Sequence, residues 1–206
     1  MFALPPFDPG VELVVSSRGM SKGVEQSDEP QVIPKVTLKV GDVQLGGQWK
    51  NVTSTAADGE AAAFATITHK FGAFAVTAGA AYKFQTNVKM RTDSKSFEFT
   101  GAVARSFGKV SAKISAVYSP DDVGKAKRSL YFEGGPAIDL TKTLRLSANL
   151  GRRSRENGPD YTAFNVGATK TLFRGFSLDL RLYQTNRANL GDIYKRRVIV
   201  AGRWVF

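Results

Sequence analysis

The 206-residue chain has no cysteine and a single histidine, His69. The missing thiols exclude disulfide frameworks, thiolate zinc sites and cysteine nucleophiles. One imidazole leaves Ser/His relays and multi-His metal sites at most one place to stand. No apolar run approaches the ~18 residues that a spanning helix requires, which excludes a helical membrane protein. A membrane β-barrel survives that test, because its strands are short and alternate. Residues 1–10 (MFALPPFDPG) have neither a basic n-region nor an apolar h-region and do not read as an intact signal peptide. Clustered charge is also scarce. The net charge is +11, from 29 Lys and Arg against 18 Asp and Glu, yet the longest basic run is Lys195-Arg196-Arg197. Nucleic-acid binding needs a basic stripe, so no nucleic acid is expected as a partner.

What is present is alternation with period two, the pattern of half-buried strands. Phe74, Val76, Ala78, Ala80, Tyr82 and Phe84 alternate with Ala75, Thr77, Gly79, Ala81, Lys83 and Gln85. Turn signals divide the chain into twelve strands near 11–20, 31–40, 43–53, 60–70, 73–85, 95–107, 110–119, 129–140, 144–154, 161–172, 176–186 and 194–206. Their connections alternate between tight turns, such as Gly41-Asp42 and Gly108-Lys109, and longer polar loops, as an up-and-down meander requires.

Soluble and membrane barrels share this period, and the aromatics separate them. Near the tight turns the apolar faces carry Phe74, Phe107, Phe176, Trp204 and Phe206. Near the long loops they carry Trp49, Tyr82, Phe84, Phe97, Tyr118 and Tyr194, with aliphatic residues such as Ala78, Val103, Leu180 and Val200 between. Two aromatic girdles around an aliphatic belt are explained by a bilayer. The expected fold is an all-β, transmembrane, antiparallel up-and-down barrel of twelve strands. It occupies 11–206 as one domain, with 1–10 as a periplasmic extension. Its surroundings are outer-membrane lipid and lipopolysaccharide, with tight turns on the periplasmic side. The ending Arg203-Trp204-Val205-Phe206 is similar to the signal read by the barrel-assembly machinery of bacterial outer membranes, with Trp204 and Phe206 as its aromatic part.

Ser17-Arg18-Gly19-Met20-Ser21, then Pro30, then Gly47-Gln48-Trp49-Lys50-Asn51-Val52 resembles the opening of the TorF family, labelled porins by analogy and also known as Gcw_chp, conserved hypothetical outer-membrane proteins. The motifs cover roughly residues 13 to 53. This chain has Lys35, Lys39 and Lys50 where that family is richer in tyrosine and acid. The resemblance implies a porin-like barrel and supplies no catalytic residue.

His69 falls on an apolar face one step from the turn at Phe71-Gly72, which suits an interfacial side chain better than a catalyst. The scattered acids show no loop spaced for calcium, so neither metal nor cofactor is expected. Pro34 and Pro136 lie inside strands of a barrel without edges, and bulges are expected at both.

The polar faces carry the functional signal. Their basic residues are Arg18, Lys35, Lys39, Lys50, Lys70, Lys83, Lys113, Arg145, Arg153, Arg181, Lys195, Arg197 and Arg203. Against these thirteen stand five acids, Glu12, Glu98, Glu133, Asp139 and Asp179. A narrow aqueous lumen inside low-dielectric walls focuses such a field and concentrates anions. The expected function is passive diffusion of small, preferentially anionic solutes through an open basic lumen, without enzymatic chemistry. Loop 86–94, with Lys89 and Arg91, is long enough to narrow the mouth but too short to plug it. The alternative is a structural barrel, or one that binds another envelope protein, with no open pore.

Overall fold

The computed structural model describes residues 7–54, 56–89, 93–123 and 127–206. Fourteen strands follow one another: β1 (Phe7–Ser16), β2 (Gly19–Ser21), β3 (Val24–Ser27), β4 (Gln31–Val40), β5 (Val43–Asn51), β6 (Ala57–Phe71), β7 (Phe74–Val88), β8 (Lys95–Phe107), β9 (Val110–Asp121), β10 (Ser129–Asp139), β11 (Leu144–Arg155), β12 (Tyr161–Phe173), β13 (Phe176–Thr185) and β14 (Arg197–Val205). Twelve of them form a closed antiparallel barrel, in which β1 pairs with β4 on one side and β14 on the other. The remaining pair, β2 and β3, is a separate hairpin. The first wall strand starts at Phe7, paired with Val40, so residues 7–10 belong to the barrel and not to an extension.

Tight turns join the strands at one rim. Gly72 and Gly108 sit there at φ 58° and 65°, in the left-handed region that two-residue hairpin loops demand. Side chains then alternate as the period dictates. Val103, Ile114, Leu180, Val198 and Val200 are exposed on the outer wall. Phe74, Phe107 and Phe206 are exposed near the tight-turn rim, and Trp49, Phe84, Phe97 and Tyr118 near the long-loop rim. Phe176 stacks on Trp204 at 4.6 Å, while Tyr82 packs against Phe97 at 4.9 Å. This is a transmembrane β-barrel, whose apolar surface faces outward and whose interior is polar.

The expected bulges at the prolines are absent. At Pro136 the register is unchanged between Gly134↔Leu150 and Ala137↔Ser147, with no pairs between, and a Cβ on Gly135 would collide with the Ala148 carbonyl. The missing proline N–H is accommodated as a gap in the ladder instead of an inserted residue. At Pro34 the β4–β5 ladder stops at Lys35↔Gln48. Asn51 takes over there, its Oδ1 accepting from the Val32 N–H (2.7 Å) and its Nδ2 donating to the Pro30 carbonyl (2.8 Å). Register shifts fall elsewhere, at Phe97/Phe99 and Thr171/Phe173.

Leu180→Arg, on the outer wall, is expected to cost about 2–4 kcal/mol near the bilayer midplane. Lys113→Gln, on the inner wall, should stay within about 0.5 kcal/mol. Urea unfolding in lipid vesicles measures both, and equal losses would place the wrong face inward.

Candidate functional site

Pairing with inward neighbours fixes which basic residues face the lumen and which of them are neutralised. Arg145 donates to Asp139 (2.9 Å) and to Ser111 (2.6 Å). Arg181 is held by Asp179, Asn165 and Ser147. Arg203 pairs with Glu12 at 2.5 Å. Glu133 accepts from the Tyr131 hydroxyl at 2.6 Å. Lys35, Lys39 and Lys113 also face inward, and none of them has a carboxylate within 4 Å among the described residues. The Lys35 ammonium lies 5.8 Å from the ring centre of Phe64, an inward aromatic.

Lys50 and Lys83 are not free lumen charges. They form a ladder across four strands: Lys50 to Glu60 (3.1 Å), Glu60 to Lys83 (3.1 Å), Lys83 to Glu98 (3.2 Å), and Glu98 to Lys22 of the hairpin (2.5 Å). Glu60 was missed by sequence reasoning because the strand was started on it. The alternation through Ala62, Phe64 and Thr66 puts it inside all the same.

The larger omission is the hairpin. It leaves the barrel after Ser16 and crosses the lumen at the long-loop end. Lys22 and Gly23 form its turn, at φ 49° and 82°. The Tyr161 hydroxyl donates to the Lys22 carbonyl (2.8 Å), and Val24 enters a socket of Tyr161, Ala163 and Tyr194. Gly23 lies against Ala163 with no room for a side chain. Along β3, Glu25 is held by Arg18 and Arg197, Gln26 accepts from Lys50 (2.5 Å), and Ser27 meets Thr53 (2.7 Å). Tyr194 therefore belongs to this socket and not to the outer girdle, where its sequence position suggested it. What crosses the lumen is this hairpin, an element the sequence reading did not contain. In loop 86–94 Lys89 pairs with Asp58, and Arg91 lies outside the described residues.

Burial concentrates at this end of the barrel. Ser119 is fully covered, and Ser27 and Tyr161 are about 1% exposed. Asp122 and Arg153 meet at 2.5 Å beside Ser129. Towards the tight turns the inward side chains are more exposed, as at Arg145 (44%) and Asp139 (48%). Beneath the hairpin lie two cavities, one of about 290 Å³ lined by Tyr131, Asn149, Asn165 and Tyr183, the other of about 440 Å³ lined by Lys35, Gln48, Phe64 and Lys83. A third, of about 510 Å³, opens above β3 between Glu25, Asp28, Thr53 and Asp192. The signal that could have exposed this packing was Tyr131, Tyr161 and Tyr183, three aromatics on faces that water alone would not favour.

His69 sits on the outer face near the tight-turn rim, where Nδ1 is 2.6 Å from Asp42 and its ring 4.6 Å from that of Phe71. No serine hydroxyl bonds to it among the described residues.

A family model described as a bacterial protein of unknown function, Gcw_chp, matches residues 6–205. No curated protein matches the chain. Among solved structures, the KdgM porin is similar with a TM-score of 0.69 at 10% identity, covering 96% of this chain and 99% of that one. The NanC porin gives 0.64 at 7% identity, over 95% and 97% of the two chains. The COG4313 outer-membrane channel from Pseudomonas putida F1 gives 0.63 at 13%, over 98% and 96%.

Asp122→Asn should leave the Arg153 guanidinium uncompensated in a dry setting, at a cost of about 3 kcal/mol. Burial alone would raise the Asp122 carboxyl, but Arg153, Lys22 and the hydrogen bonds from Ser129 and the Val123 N–H together outweigh it and hold the group below its usual value. Such a carboxyl stabilises the folded state above its unfolded pKa, and that contribution is lost as pH falls through the depressed folded value. Wild type and variant should therefore converge on acidification. Urea unfolding in vesicles across a pH series checks both the gap and its closure.

Proposed function

The chain belongs to the Gcw_chp family, and we propose that its barrel is an outer-membrane channel for passive diffusion of small, preferentially anionic solutes. The observation that carries this reading is the set Lys35, Lys39 and Lys113, inward-facing and, like Lys70 nearer the tight turns, without carboxylate partners among the described residues. Inside a low-dielectric wall their field reaches any solute in the narrow section. Anions gain from partition into that field and cations lose, so selection needs no chemistry at the wall. In this reading the tight turns and both ends of the chain are periplasmic, and the hairpin and long loops face outward. The terminal Trp204 and Phe206 serve recognition by the assembly machinery, and lipopolysaccharide surrounds the outer girdle.

The packed long-loop third favours a second reading, a structural or partner-binding barrel with no open pore. Conductance separates the two. The purified protein in a planar bilayer under a potassium chloride gradient should show a reversal potential on the chloride side. That preference should weaken with salt, because the Debye length falls from ~8 Å at physiological strength to ~3 Å at 1 M. Replacing Lys35, Lys39 and Lys113 together by Glu should invert the preference while the barrel still assembles. A conducting wild type without anion preference would refute the basic-lumen mechanism, and a folded barrel that never conducts would favour the second reading.

A further inference from the structure

The hairpin carries a carboxylate into a site built for one. Glu25 has a side chain only 3% exposed, with both oxygens engaged. Arg197 donates through Nε to Oε1 and Oε2 (3.1 Å each) and through Nη2 to Oε2 (2.9 Å), and Arg18 Nη1 closes on Oε1 at 2.6 Å. A planar guanidinium fork recognises the carboxylate group itself, whatever molecule bears it. Arg18 is 38% exposed on its side chain, and Glu25 and Asp192 line the cavity that opens above β3.

The charges around it favour exchange. Asp192 pairs with Arg197 (2.5 Å) and is itself paired with Lys195 (3.0 Å). With Glu25 withdrawn, two guanidiniums and Lys195 would face Asp192, while Asp28 lines the cavity opposite. A free carboxylate could replace what Glu25 supplies, and a cation would gain nothing there. The hairpin is also a dependent element, since an isolated pair of short strands is marginal alone and takes its position from its anchors. Two of these anchors are coupled. The segment Asp192–Tyr194 gives its aspartate to Arg197 and its tyrosine to the Val24 socket.

We propose that Arg18 and Arg197 form a carboxylate-binding subsite at the mouth of the channel, that Glu25 occupies it in the closed barrel, and that a carboxylate-bearing solute opens the passage by exchanging with Glu25. The proposal rests on the channel reading above. It assigns specificity to the mouth, ahead of the lysines that attract anions in general.

The test uses the purified chain in planar bilayers in potassium chloride, with sodium succinate added on the hairpin side against sodium chloride of equal ionic strength. Succinate should raise the wild-type current severalfold. Glu25→Gln should raise the basal current and abolish the response. Ser27→Cys combined with Thr53→Cys adds a reversible control in a chain without other thiols, since their hydroxyls lie 2.7 Å apart. Oxidation should suppress the succinate response and reduction restore it. A variant with residues 19–27 replaced by a short Gly-Ser link should conduct without succinate. If it conducts while wild type ignores succinate and Glu25→Gln behaves as wild type, the hairpin is a fixed constriction and the proposal is overturned with the channel reading intact. If the linked variant folds and stays silent, the channel reading falls and takes the proposal with it.

Discussion

A bilayer offers no hydrogen bonds to the main chain, so every peptide group at membrane depth must be satisfied by protein. Sheet closure meets that demand here, and it depends on β1, which pairs with β4 through ten successive partners and with β14 through five. Once the sheet is closed, alternation leaves each residue one of two surroundings, lipid or lumen. The positions of Leu180 and Arg181, adjacent in sequence and opposite in environment, follow from that. So does tolerance of Pro136, since a gap in one ladder is a local loss that its intact pairing with β9 confines.

Because the apolar surface is turned outward, packing inside is mostly polar, the socket around Val24 being the exception among the described residues. The long-loop third achieves it with ion pairs and hydroxyls: the Lys50–Glu60–Lys83–Glu98–Lys22 ladder, the Asp122–Arg153 pair, and the serines around them. Nearer the tight turns Lys35, Lys39 and Lys113 have no carboxylate partner among the described residues. One molecule thus combines a packed end, where charges hold structure, with an end where inward charges are more exposed.

The wall was legible in the sequence because period two, turn glycines and girdle aromatics each report on a local requirement. The strands found differ from those expected mainly by a few residues at their ends, as at Phe7 and Arg197. The plug was not legible for a physical reason. Its strands are three and four residues long, too short for alternation to register, and they are placed by contacts with β8, β12 and β14, which only closure brings near. The same distance hid the pairing of Lys50 and Lys83, whose charges could be counted but not assigned partners. The segment carrying the family resemblance turns out to be architectural: Arg18 and Gly19 lie at the root of the hairpin, and Trp49 and Asn51 fasten the wall beside it.

The hairpin's anchors are also late in the chain. Glu98 comes 76 positions after Lys22 and Tyr161 139 after it, and Arg197 comes 172 positions after Glu25. Its seat does not exist until nearly the whole wall has been laid down. Docking of the hairpin therefore waits on β8, β12 and β14, and the packed interior of the long-loop end is the part of the molecule that the last strands complete.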